Sequence, residues 1–339
     1  MLGWRKGGIL FTILLITAAL AGGLFTYSEH AAYQARKEFP PIGEFVEVEK
    51  VRLHYLDSAP DTPTQSIVLL HGASSNLRDF LGNLYPILSR QYRVIAVDRP
   101  GHGYSTRPSN GAKEGEWMNP ARQAEVIHGL LTRIGARNPV IVGHSWAGAV
   151  ALAYALDYPA ETGGAVILAG ATHPWRSQPA IHNRLPAVPL LGDLFVHTLV
   201  APGFALMAEQ SVARNFAPNA PPPNYLQSSG AALLIRPDNW RANAEDMRNL
   251  AAFLASQKKR YHEIRTPLVI IAGENDQSVS PDIHARRLHA QAPGSQLIML
   301  PDTGHAPHYV HPEAVSEAIE AVARQLRAAG LHASHPDGH

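Results

Sequence analysis

Two hydrophobic rhythms divide the chain. Phe45–Glu49 and Val51–Tyr55 alternate apolar and polar side chains, the pattern of strands with one wet face, and predict an antiparallel opening hairpin. From Ser66 the pattern changes to short apolar runs: Ser66–Leu70, Tyr92–Val97, Val140–Val142, Ala165–Ala169, Leu268–Ala272 and Gln296–Leu300. Strands covered on both faces by helices read this way. Helical patterning fills the intervals, over Leu77–Arg90, Arg122–Ile134, Ala147–Asp157, Ile283–Gln291 and Glu313–Arg327. The alternation predicts an α/β fold: a mostly parallel, doubly wound sheet with helices on both faces.

The rhythm breaks between His173 and about His262. That stretch has no apolar strand run, many prolines (Pro218 and Pro221–Pro223 among them), and scattered large apolar groups such as Trp175, Phe195, Phe204 and Phe216. A structureless loop of that length is improbable inside a compact domain. The expectation is an inserted helical cap over residues 173–261, sitting as a lid on a core made of residues 43–172 and 262–328. A decorative surface subdomain is the alternative.

The N-terminus is a separate element. Arg5 and Lys6 precede Gly8–Tyr27, an uncharged stretch of membrane-spanning length. A basic flank favours a cytoplasmic N-terminus and export of the chain beyond the apolar stretch. Ala19–Ala21 resembles a signal-peptidase site, and cleavage there would release the protein. Apolar residues continue to Tyr27, which favours an uncleaved membrane anchor within residues 1–30 over a signal peptide. A buried soluble helix is the third reading. The domain would then be membrane-anchored on the periplasmic or extracellular side, or secreted if cleaved. Ala31–Pro41 reads as a polar linker, and residues 329–339 as a flexible tail.

Composition narrows the partners. The 339 residues are 45% hydrophobic and 17% charged, with net charge +1, so the chain is globular and nothing points to nucleic acid. There is no cysteine, which excludes disulfides, thiolate metal sites and a cysteine nucleophile.

The chemistry centres on Gly143–Gly148, which comes directly after the run Val140–Val142 and leads into Ala149–Tyr154. A serine between small residues at a strand-to-helix turn presents an exposed hydroxyl on a strained backbone. Gly143 and Ala147 leave the room such a turn needs, although the usual spelling G-x-S-x-G has glycine where Ala147 stands. Alone, the hexapeptide also reads as a turn with a helix-capping serine.

A serine hydroxyl needs a base, and that base needs an orienting acid. Asp276 comes after Leu268–Ala272 and His305 after Gln296–Leu300, so both fall at the carboxyl ends of strands, where a doubly wound sheet gathers reactive groups. His71, His102, His144, His308 and His311 are the competing histidines; Glu274 and Asp302 are the competing acids. His144 should point away from the serine as a packing or hydrogen-bonding residue. An oxyanion hole needs two backbone N–H groups. Trp146, after the serine, offers one, and Ala73, in the loop His71–Asn76, the other. The same loop also reads as a helix N-cap at Ser75 or Asn76.

These residues resemble the α/β-hydrolase superfamily in its single-domain branch with a lid. The resemblance rests on His71-Gly72, the Asp98–Ser105 turn, the elbow at Ser145, the Asp276 loop and Gly304-His305, and spans about residues 43–328. It implies a triad of Ser145, Asp276 and His305, acyl transfer on a small-molecule ester without cofactor or metal, and a purely structural Asp98–Ser105 turn. Serine at 145 argues against epoxide and haloalkane chemistry. C–C bond hydrolases, thioesterases and cofactor-free perhydrolases use the same triad, and a non-catalytic binder is a further alternative. The apolar cap implies a hydrophobic substrate portion, with Trp175 and Phe216 as candidate lining residues. His332, His335 and His339 could bind metal loosely, but a disordered tail is the better reading. Oligomeric state is open.

Overall fold

The computed structural model describes residues 2–58, 65–107, 118–175 and 178–328, with side chains from Gly8 to Leu326. Eight strands form one sheet: β1 (Glu44–Val48), β2 (Val51–Asp57), β3 (Ser66–Leu70), β4 (Arg93–Val97), β5 (Val140–His144), β6 (Gly164–Leu168), β7 (Leu268–Gly273) and β8 (Gln296–Leu300). Their order is β1-β2-β4-β3-β5-β6-β7-β8. β1 and β2 pair antiparallel, as do β2 and β4, and every other neighbour is parallel.

The helices are α1 (Leu2–Glu38), α2 (Leu84–Leu88), α3 (Pro120–Arg133), α4 (Gly148–Asp157), α5 (Ile181–Arg184), α6 (Leu191–Thr198), α7 (Val200–Phe216), α8 (Tyr225–Ser228), α9 (Pro237–Gln257), α10 (Ala285–Gln291), α11 (Pro307–Val310) and α12 (Pro312–Ala328). Alternate strand residues feed two cores. Val68, Leu70, Ile141, Ile167 and Ile270 face α3, α4 and α10. Ile67, Leu69, Val142, Val166 and Ile271 face α2 and α12. The doubly buried runs are thus the middle strands; β8 closes the sheet and stays half exposed.

Two expectations need correction. Leu77–Arg90 is not one helix: a 3₁₀ turn at Leu77–Phe80 and α2 are separated by Leu81, Gly82 and Asn83, and the Asn83 side chain accepts from the Leu84 N–H at 2.6 Å, starting a new helix. The cap of the 3₁₀ turn is Asn76, whose side chain accepts from Arg78 N at 3.0 Å. Ala31–Pro41 is not a linker either. α1 runs unbroken to Glu38, because nothing before Pro40 interrupts a helix, and Ala32, Ala35 and Phe39 are buried. Ala35 joins Val196, Val200, Ala201 and Ile235 in a small core that packs α1 onto the 173–261 insertion. Among its described residues the insertion carries helices α5 to α9 and no strand. The histidine tail lies outside the described residues, as do the Arg5 and Lys6 side chains.

Candidate active site

β5 ends at His144, and Ser145 opens a short 3₁₀ turn, Ser145–Ala147, that runs directly into α4. Ser145 has φ +53°, a left-handed conformation that costs a non-glycine residue on the order of 1–2 kcal/mol. The sharpness of the turn dictates its neighbours. A Cβ on Gly143 would meet the Ala147 carbonyl oxygen at 2.3 Å, so glycine is required there. The Ala147 methyl, in contrast, is buried without conflict in the core between sheet and α4.

The structure brings the three sequence-selected side chains together. His305 Nε2 lies 2.8 Å from Ser145 Oγ, and His305 Nδ1 lies 2.7 Å from Asp276 Oδ2. The second oxygen, Oδ1, accepts from the Ser278 and Val279 N–H groups at 2.8 and 2.9 Å. Asp276 and His305 are buried. Their two loops are stitched to each other, Glu274 N donating to Leu300 O and Asn275 N to Thr303 O. The rival acid Asp302 lies on the histidine loop, where its carbonyl accepts from Asn219 Nδ2 at 2.9 Å.

Of the two groups picked for the oxyanion hole, Trp146 follows the serine in sequence, and Ala73 lies on the loop that passes beside it. Trp146 sits in the first turn leading into α4, where N–H groups lack partners inside the helix. The loop carrying Ala73 passes so close that a Cβ on Gly72 would come within 2.9 Å of Ser145 Cβ. That loop is held from beneath by Arg99, whose guanidinium donates to the His71 and Gly72 carbonyls at 2.8 and 3.1 Å, to Gln123 at 2.9 Å and to Asp246 at 2.7 Å. The guanidinium also lies over the Trp146 ring, 4.3 Å from its centroid. Burial, then the nearby Arg99 and His102, push the His71 imidazole well below its ordinary pKa. His71 is therefore neutral; its Nδ1–H donates to Gly72 O and its Nε2 accepts from Arg99 N.

His144, expected as a packing or hydrogen-bonding residue that faces away from the serine, donates from Nε2 to the His305 carbonyl at 3.0 Å and so holds the histidine loop by its backbone. Burial, then His308 and His305, push the His144 ring well below its ordinary pKa, which keeps it neutral in that role. Behind it lies Asp79, whose carboxyl burial would raise but which His308 beside it and the Tyr225 hydroxyl, donating at 3.1 Å, hold well below the usual range. The end of α7 forms a clasp: Asn215 O accepts from His305 N at 3.0 Å, and the Asn219 side chain bridges Asp302 O and Gly304 N. Phe216, expected to line the substrate space, is buried against Tyr225 and Tyr309. Trp175 is half buried, edge-on to His284. The Asp98–Ser105 turn is structural: Asp98 accepts from His54, Leu77 N and Tyr104 N.

Known proteins share this architecture. Residues 67–318 match the model of the alpha/beta hydrolase family. Among curated relatives, the 2-hydroxy-6-oxononadienedioate/2-hydroxy-6-oxononatrienedioate hydrolase of Cupriavidus pinatubonensis is 25% identical over 280 residues, 79% of this chain and 89% of that one. The 2-hydroxy-6-oxo-6-phenylhexa-2,4-dienoate hydrolase of Burkholderia cepacia is 27% identical over 281 residues, 78% and 88% of the two chains. Among solved structures, an enol-lactonase from Burkholderia xenovorans superposes with TM-score 0.65 at 18% identity, covering 82% of this chain and 99% of that one. A membrane phospholipase A gives TM-score 0.65 at 18% identity and covers 95% and 99%. With more than half its length matched by the family model, and an eight-stranded sheet that carries a serine on the turn after β5, the chain belongs to the alpha/beta hydrolase family and is a hydrolase.

Proposed function

We propose that this hydrolase cleaves carboxylic esters through an acyl-enzyme on Ser145. The observation that carries the reading is the unbroken hydrogen-bonded chain Ser145 Oγ, His305 Nε2, His305 Nδ1, Asp276 Oδ2, at 2.8 and 2.7 Å. His305 takes the serine proton as Oγ attacks the ester carbonyl, and Asp276 holds the imidazole and offsets its positive charge. The Trp146 and Ala73 N–H groups receive the oxyanion. His305 then protonates the departing alcohol, and a water activated by the same imidazole releases the acid. No step calls on a cofactor or metal.

The cap over residues 173–261 roofs the site, and its apolar character fits a hydrophobic acyl or alcohol portion on a small-molecule substrate. Residues 8–27 of α1 form the membrane anchor, with the catalytic domain on the exported side. The test is direct. Purified full-length protein should react with a fluorophosphonate probe and turn over p-nitrophenyl acyl esters. Ser145→Ala should abolish the labelling and lower turnover by about 10⁶, roughly 8 kcal/mol of transition-state stabilisation. More than a few per cent of residual turnover would mean that the nucleophile is elsewhere.

The names of the curated relatives support a second reading, C–C bond hydrolysis of a β-diketone-like substrate by the same residues. Assay of acyl esters, thioesters and vinylogous β-diketones side by side separates the two. Turnover confined to the diketones would replace the ester reading while leaving Ser145 in place.

A further inference from the structure

Among the described residues, the 173–261 insertion carries large apolar side chains left open to solvent. Leu190 and Leu206 are 81% and 85% exposed, and Leu191, Leu194, Leu199 and Met207 each about half or more. They lie on α6, on the first turns of α7 and at the corner between them, where the two helices meet at 58°. From residue 185 to residue 208 the only ionisable side chains are Asp193 and His197. Both are engaged: Asp193 with Arg241, and His197 with Glu29 at 3.0 Å. Soluble surfaces do not leave six large apolar groups together without a partner.

The position of this corner says what the partner is. Gly8–Tyr27 is 20 residues of uncharged helix, about 30 Å long, which matches the hydrocarbon thickness of a bilayer. Its large side chains from Ile9 to Leu20 are exposed along the whole helix. The corner meets α1 where this stretch ends. The Phe25 ring stacks on His197, with centroids 5.8 Å apart, and Ser28 Oγ donates to the Thr198 carbonyl. A bilayer threaded by α1 therefore has its surface at the level of α6, and the exposed leucines continue the apolar surface of α1 sideways.

We infer that the α6–α7 corner is a second membrane contact, seated in the interface of the bilayer that α1 crosses, with Leu190, Leu191, Leu194, Leu199, Leu206 and Met207 dipped among the lipid chains. A helix pair of this kind lies in the membrane plane and does not span it. α7 then runs from lipid to Asn215, the residue that holds the His305 N–H. From Met207, the last of the seated side chains, eight more residues of α7 lead to Asn215, about 12 Å along the helix axis.

Because the chain has no cysteine, single labels can be placed without background. Full-length Leu191→Cys, Leu206→Cys, Leu15→Cys and Gln296→Cys carry an environment-sensitive fluorophore in phosphatidylcholine vesicles containing phosphatidylglycerol. Each is read with a spin-labelled lipid quencher and with aqueous iodide, after circular dichroism has verified the fold. Labels at 15, 191 and 206 should be roughly halved or more by the lipid quencher and spared by iodide, and the label at 296, at the start of β8, should show the reverse. Iodide quenching at 191 and 206 overturns the inference, because the corner then faces water. Shielding of both from both quenchers overturns it in favour of a second copy of the chain, and a label at 15 that lipid does not quench removes its foundation. The readout is position and not turnover, so it stands or falls independently of the ester chemistry.

Discussion

Acid should weaken this fold through one histidine whose contribution can be isolated. His284 is buried between the start of the insertion and α10, and its Nδ1 accepts from the Thr172 and His173 N–H groups at 3.0 and 3.1 Å. Burial first, then His173, with smaller contributions from Arg287 and His305, lowers its pKa to about 4, against the pull of Asp276. The folded state therefore resists a proton that the unfolded chain accepts near its ordinary value of about 6.5. Stability from this group is complete above that value and is lost as pH falls towards about 4. Between pH 7.5 and 4.5 the loss amounts to on the order of 2.5 kcal/mol, or about 5 °C in melting temperature for a domain of this size. His284→Asn places a carbonyl oxygen where Nδ1 sits, keeps the acceptor and removes the titration. Thermal unfolding in detergent should show a shallower acid slope for the variant than for the parent, by about that amount. Equal slopes would refute the reasoning, since the two N–H donors would then not depend on a neutral ring.

The catalytic loops and their supports carry further expectations. Gly72→Ala inserts a methyl 2.9 Å from Ser145 Cβ, so the loop must shift, and kcat on an acyl ester should fall at least tenfold with little change in melting temperature; unchanged kcat would free that loop from any part in catalysis. Arg99→Met leaves Asp246 with Arg107 but strips a fully buried ion pair, and should cost about 3–5 kcal/mol in unfolding experiments; a smaller loss would show that α9 is not pinned to the core through this residue. Asn219→Ala removes two hydrogen bonds from the histidine loop and should lower kcat severalfold while fluorophosphonate labelling persists at a slower rate. Trp175→Ala should shift acyl chain-length preference, and an unchanged profile would place the substrate elsewhere. Phe216→Ala, by contrast, opens a cavity beneath the histidine loop and should act on stability, by roughly 3–5 kcal/mol.

The parts of the fold legible in the sequence were those set by local periodicity. The apolar runs matched β3 to β7 because both faces of those strands are covered, and β8 departed from that picture because it lies at the edge. Ser145, Asp276 and His305 were selected because each stands just beyond a strand end, and the structure puts them in contact. What stayed hidden depends on contacts across long separations. Arg99 meets Asp246 over 147 positions, and Asn215 reaches His305 from the far end of a cap helix. The helical character of residues 31–38 was masked by their polarity, which marks only the wet side of a helix whose other side packs on the cap.

One consequence of α1 concerns leverage. It passes without interruption from its apolar half into the turns packed on the 173–261 insertion, so the apolar stretch and the hydrolase domain are joined through one continuous helix. With α1 in a bilayer as proposed, a change in lipid thickness that tilts the helix by about 10° swings a point 40 Å away by roughly 7 Å. An enzyme on a loose tether would not feel such a change. With the anchor and the ester chemistry as proposed, the bilayer's thickness would set the height and facing of the serine, and turnover of a membrane-dissolved ester would become a function of the lipid that surrounds the helix.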